Sequence, residues 1–166
     1  MRLDIGSGTK YDDGMTFGVD PFFDADIQAY MHDIPLDDNS VDEIFSSHAL
    51  EHVGKNEVLP ALQEWYRILK PGGLLIVRVP NLIWCCNHYL KTVIARETEQ
   101  QPIVGWDLDI IFGNQNGWQE HYGEYHKTGF TPKSIKWYVR KAGFTITKFE
   151  TLDTHSQETL SVEAIK

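Results

Sequence analysis

The chain predicts an α/β protein built on an open sheet of seven strands, and three observations carry that expectation. Short apolar runs alternate with segments of helical period. Glycine and proline punctuate the ends of those runs. One run, Leu74 to Val79, is almost continuously apolar, as a strand buried on both faces between parallel neighbours should be.

Taken in order, Leu3–Ile5, Thr16–Asp20 and Ile27–Asp33 read as short strands separated by Gly6, Gly8, Gly14 and Pro21. Val41–Ser47 is the fourth. Asn56 offers a helix cap, and Val58, Leu62, Trp65, Tyr66 and Leu69 share one helical face until Pro71-Gly72-Gly73 ends it. Leu74–Val79 is the fifth strand. Beyond Pro80-Asn81 a helix is expected through Tyr89 and Val93, whereas residues 100–130 match neither period. Thr131-Pro132 opens another helix, a capping hydroxyl before proline at the first helical position. Its Ile135, Tyr138, Val139 and Ala142 face inward and Gly143 stops it. Phe144–Glu150 and Leu160–Ile165 complete the sheet as an antiparallel pair.

With 166 residues, 42% of them hydrophobic, residues 1–166 are expected to form one domain with a sizeable core. No stretch approaches the roughly 18 apolar residues of a membrane span, and Met-Arg-Leu-Asp lacks the apolar run of a signal peptide. A soluble cytoplasmic protein with no membrane partner is the expectation. Cys85 and Cys86 are adjacent, unsuited to a disulfide framework or a zinc site, and read as reduced packing residues. The net charge of −9 is unevenly spread: residues 1–60 hold thirteen acids against three bases, residues 127–148 six bases and no acid. So acidic a front half repels phosphates, which argues against nucleic acid as a partner, and the basic stretch reads as a solvated helix face.

The stretch Leu3 to Pro21, "LDIGSGTKYDDGMTFGVDP", carries the chemistry. A glycine turn after the first strand of an open α/β sheet lets backbone approach a ligand beyond the strand ends. Gly6 and Gly8 hold that place, but a dinucleotide fingerprint would want a third glycine where Tyr11 stands, and no Gly-Lys-Ser/Thr follows to make a phosphate loop. A ligand with ribose hydroxyls and no phosphate remains. Asp20 at the tip of the second strand suits the hydroxyls, Asp33 at the tip of the third an exocyclic adenine amine, and the acidic rim a sulfonium cation. S-adenosylmethionine meets all three conditions.

The segments "LDIGSG", "GVDP", "HDIPLDDNSVDEIFSSHALEHV", "EWYRILKPGGLLIVRVPN" and "HKTGFTPKSIKWYVRKAGF" together resemble the class I S-adenosylmethionine-dependent methyltransferases, in particular a small group with a shortened nucleotide-binding half. The resemblance implies a Rossmann-like sheet of order 3-2-1-4-5-7-6 with its last strand antiparallel, and a pocket above strands one to four. It implies that Asp4 braces the glycine loop while Gly6, Ser7 and Gly8 approach the methionine part of S-adenosyl-L-methionine, the product being S-adenosyl-L-homocysteine. Asp20 would take the ribose, Asp33 and Ile34 the adenine, and Ser47 and His48 the methyl-bearing end. The links Thr9–Met15 and Pro21–Asp26 are too short for the family's helices, so one sheet face is expected to lack its helical cover. Such a face is expected to be solvated or covered by a second copy or a partner.

Residues 100–130 are read as an acceptor-site or lid insertion. Within it "WQEHYGEYH" offers His121 and His126 as candidate bases and Trp118, Tyr122 and Tyr125 as contacts for a small-molecule or sugar-type acceptor methylated on oxygen or nitrogen. A binding protein that keeps the fold but not catalysis is the alternative. No metal is expected, since "HALEH" at 48–52 departs from the HExxH pattern and His121 and His126 have no acid or thiol pair at ligand spacing.

Overall fold

The computed structural model describes residues 1–11, 13–94, 106–113, 124–154 and 157–166. Its elements are β1 (Arg2–Ile5), β2 (Thr16–Val19), β3 (Val41–Ser47), α1 (Val58–Ile68), β4 (Leu69–Pro80), α2 (Leu82–His88), α3 (Trp106–Phe112), α4 (Pro132–Lys141), β5 (Thr145–Thr154) and β6 (Gln157–Ile165). A short 3₁₀ turn, Leu50–His52, follows β3, and a wider helical turn, Tyr89–Val93, extends α2.

The strands form one mixed sheet of order β2-β1-β3-β4-β6-β5. The first four are parallel, and β6 runs antiparallel to both β4 and β5. This is the expected order with its outermost member reduced, because Ile27–Asp33 contributes only a bridge from Ile27 to Val19 and another between Tyr30 and Asp33. Six strands therefore stand among the described residues where seven are expected. From Met31 to Leu36 several backbone groups are satisfied by side chains of α1 and not by a strand. Trp65 Nε1 donates to Met31 O at 2.9 Å, Ile34 N donates to Glu64 Oε1 at 2.9 Å, and Arg67 donates to Ile34 O and Leu36 O.

The expected helix caps and stops shift in one place and hold in another. Asn56 does not cap α1; the helix begins after Glu57, whose carboxylate accepts from Gly54 N instead. Pro71-Gly72-Gly73 does not end it either, since β4 already starts at Leu69 opposite Val41, the turn bulges out, and pairing resumes at Glu43 with Leu74. At α4 the reading of Thr131 stands: its Oγ1 accepts from Ser134 N while Ser134 Oγ accepts from Thr131 N. Thr131→Ala should cost about 1 kcal/mol and lower the thermal midpoint by about 2–4 °C, as read by circular dichroism.

The core lies between the sheet and α1 with α4. Leu3, Ile44, Leu75 and Ala164 align across the registers, and all are buried against Leu62, Trp65, Ile135 and Val139. The opposite face follows the expected loss of cover: Arg2, Phe45, Ile76 and Glu163 stay half-exposed or exposed. The guanidiniums of Arg2 and Arg78 flank the Phe45 ring at 5.5 and 5.2 Å. Among its described residues the β1–β2 connection carries no helix, and it is held by Asp26, which accepts from Tyr11 N and Gly18 N, and by Asp13, which caps Met15 and Thr16.

Candidate active site

A cleft of about 520 Å³ opens beyond the carboxyl ends of β1, β2 and β3, where an open α/β sheet places its ligands. Its floor is the glycine turn. Gly6 adopts φ +80°, and a Cβ there would stand 2.2 Å from Ala49 Cβ, so only glycine lets the turn pass the end of β3. Gly8, also at positive φ, lines the same floor. Ser7 turns its hydroxyl to Thr9 O and is not part of the lining. Asp4 accepts from the Tyr11 hydroxyl, which braces the loop from below and pushes that phenol up to about 12.

Asp20 ends β2 at the cleft wall, only 6% exposed. Oδ1 accepts from Phe22 N and Phe23 N at 2.9 and 3.1 Å, whereas Oδ2 takes no hydrogen bond from a described residue. One oxygen shapes the turn, and the residue lines the cleft. Phe22, Phe23, Tyr30 and His32 add ring surface beside it, with Phe22 edge-on to Tyr30 and Tyr30 stacked on His32. Asp33 and Ile34 are not brought to this wall: Asp33 is exposed beyond the bridge to Tyr30, and Ile34 is buried in the core. The neighbouring residues 29–32 line the cleft in their stead.

At the other end of the cleft stand His48, His52 and His126. His48 has φ +52°, rare for a residue with a Cβ, and its Nε2 lies 3.2 Å from Thr159 Oγ1. Ser47 sits beside it in the β3–β4 ladder and does not line the cleft. Behind the histidines is Glu51, fully buried, with Oε1 3.6 Å from His48 Nδ1 and 4.0 Å from His126 Nε2 and with no hydrogen bond to either carboxylate oxygen. Burial pushes its carboxyl up to about 8. Burial likewise pushes the His126 imidazole down to about 4 and lowers that of His52.

Of the loop residues singled out from the sequence, Trp118, His121 and Tyr122 lie outside the described residues. Tyr125 contributes its carbonyl to His52 Nδ1 rather than its ring to the cleft. Glu51 and His52 are not singled out from the sequence, where "HALEH" departs from the HExxH pattern. The segment is instead a left-handed residue followed by a 3₁₀ turn.

A methyltransferase-domain family model matches residues 15–77. A demethylmenaquinone methyltransferase of Protochlamydia amoebophila is 28% identical over 136 residues, 78% of this chain and 50% of that protein. The chain thus spans about half the length of that curated relative. Among solved structures, the Haloferax volcanii complex of the Trm112 methyltransferase activator with a methyltransferase aligns over 99% of this chain and 80% of its own at 18% identity, TM-score 0.63. A 1,6-didemethyltoxoflavin-N1-methyltransferase from Burkholderia thailandensis, solved with its substrate and S-adenosylhomocysteine, aligns over 99% of this chain and 70% of its own at 13% identity, TM-score 0.65.

Proposed function

We propose that this chain is a class I S-adenosylmethionine-dependent methyltransferase that binds its cofactor between Gly6, Gly8 and Asp20 and methylates oxygen or nitrogen of a small acceptor. Oδ2 of Asp20 carries the reading. A carboxylate oxygen at the cleft wall that takes no hydrogen bond from a described residue, beside a turn that only glycine can form, fits ribose hydroxyls and tolerates close approach by a ligand. The bound cofactor supplies an electrophilic methyl on a sulfonium.

The chain's own work is positional. Holding an acceptor atom about 3–3.5 Å from that methyl and in line supplies much of the acceleration. Phe22, Phe23, Tyr30, Val53 and Ile110 make the cleft largely apolar, which suits an aromatic or otherwise apolar small molecule, and the histidines at its end leave room for a sugar-type hydroxyl. For a hydroxyl acceptor the candidate base is His126, neutral at pH 7 with Nδ1 aimed at Ile111 O and Nε2 left as a lone pair. Residues 1–166 act in this reading as one domain, with 100–130 contributing the acceptor side. A cytoplasmic setting belongs to this reading too; no described helix is long and apolar enough to cross a membrane, and neither Cys85 nor Cys86 is in a disulfide.

Calorimetric titration with S-adenosylmethionine and with S-adenosylhomocysteine tests the reading, and binding of both is expected. Asp20→Ala should weaken both by about 1–3 kcal/mol, because hydroxyls held in the cleft lose their acceptor. Unchanged affinity in the variant would remove Asp20 from the site.

A second reading rests on the half-exposed sheet face around Phe45, Ile76 and Glu163. There the fold is kept, and that face engages a second copy or an activator-like protein, as the Haloferax methyltransferase engages Trm112. Light scattering at increasing concentration separates a dimer from a monomer.

A further inference from the structure

We propose that Glu51, His52 and His126 form a binding site for one divalent transition-metal ion, zinc or a metal of similar preference, in the wall of the cleft. One ligand atom from each lies within 4.8 Å of the others. Two imidazoles and a carboxylate are a donor set that such ions take with a coordination position left open. The two histidines line the cleft, so the open position faces it and an ion has a path in from solvent.

The orientation of the rings is the first support. His126 Nδ1 lies 3.2 Å from Ile111 O, and His52 Nδ1 lies 3.2 Å from Tyr125 O. A carbonyl can only accept, so each Nδ1 carries the hydrogen and each ring keeps one lone pair on its other nitrogen. Metal-binding histidines are commonly fixed in this way by a backbone carbonyl.

The second support is independent of the first. Glu51 is 1% exposed, and neither carboxylate oxygen has a hydrogen bond. A buried carboxyl without partners is costly. The lone pair of His126 faces Glu51 Oε1 at 4.0 Å, too far for a hydrogen bond between them. Neither His126 Nε2 nor His48 Nδ1, at 3.6 Å from the same oxygen, comes within hydrogen-bond distance of Glu51, and a cation resolves what one proton satisfies only in part. His48, engaged with Thr159, stays outside the set.

The frame around the cluster is rigid. Glu51 O accepts from both Lys127 N and Thr128 N, and Thr128 Oγ1 donates to Val53 O. These bonds lock the 3₁₀ turn to the segment carrying His126. An ion with bonds of about 2.0–2.2 Å needs its ligand atoms about 3–3.5 Å apart, so loading draws the side chains together by roughly an ångström.

The site does not depend on methyl transfer, but it changes the role of His126 in that reading. With an ion bound, His126 Nε2 is a ligand and not a base, and an acceptor oxygen would lose its proton more readily by entering the open position.

The test uses chelator-stripped protein of residues 1–166 titrated with Zn²⁺ by calorimetry and with Co²⁺ by visible absorption. One equivalent of each should bind, with cobalt bands of a low-coordinate nitrogen–oxygen site and a raised thermal midpoint. Glu51→Gln and His126→Gln, which preserve volume, should each weaken binding by about 100-fold or more. Absence of stoichiometric binding to folded wild-type protein would overturn the proposal, as would binding that neither variant alters. S-adenosylhomocysteine titration of the same stripped protein reads the cofactor site separately, so failure of one reading leaves the other measurable.

Discussion

Glu51→Gln should unfold at a higher temperature than the wild type at pH 8 and above in the presence of a chelator, and the advantage should disappear below about pH 4.5. Burial raises the Glu51 carboxyl from 4.5 to about 8 in the folded chain. Between those values the folded state holds a proton that the unfolded state has released, so stability is full below 4.5, falls as pH rises, and is lost completely only above about 8. A shift of this size corresponds to a loss on the order of several kcal/mol, which the neutral amide avoids. His126 acts with the opposite sign: its value is depressed from 6.5 to about 4, so its contribution is present above 6.5 and lost as pH falls. The two slopes oppose each other between about 4.5 and 6.5, and only the Glu51 slope remains from 6.5 to 8. Thermal unfolding followed from pH 5 to pH 9 should show the wild type declining over that upper interval while the variant stays level. A parallel decline in both would place the alkaline titration elsewhere.

Gly6→Ala should cost about 2–5 kcal/mol and abolish cofactor binding, the sum of a left-handed backbone without glycine and an overpacked contact. The added methyl would stand 2.2 Å from Ala49 Cβ, inside any tolerable carbon–carbon distance, and a Cβ has no torsion by which to move aside. Gly8→Ala is the internal control, since φ is also positive but the nearest atom to its new Cβ is a Phe23 ring carbon at 3.8 Å. It should lose only the backbone part, about 1–2 kcal/mol. Chemical denaturation of both, and of the Gly6→Ala/Ala49→Gly pair, isolates the steric part. The double variant should recover more than half of the difference between the two single alanines.

Much of the fold was legible because alternation and punctuation are local properties. The parallel core strands, the basic helix α4 with its Thr131 cap and the antiparallel β5–β6 pair follow from apolar period and turn residues alone. Ile27–Asp33 reads as a strand because its alternation is real, but pairing with β2 stops at Ile27, Met31 O is taken by Trp65, and the following Ile34 is tied to Glu64 and Arg67 of a helix some thirty positions onward. In the site, Gly6, Gly8 and Asp20 could be found since the glycine turn and the strand tip are contiguous in sequence. The Glu51, His52 and His126 cluster could not, because it exists only where a 3₁₀ turn meets a segment more than seventy residues later.

The place of β6 in the sheet constrains the order in which the molecule can assemble. It follows β5 in the chain, yet it inserts between β4 and β5. Until β6 is present, β5 has no strand to join, and β4 offers a raw edge of apolar residues from Leu74 to Val79. Completion of the sheet is thus a late, non-local event that loop closure makes slow. In that interval the exposed β4 edge can recruit a strand from a neighbouring chain, which makes nascent protein more vulnerable to aggregation than mature protein.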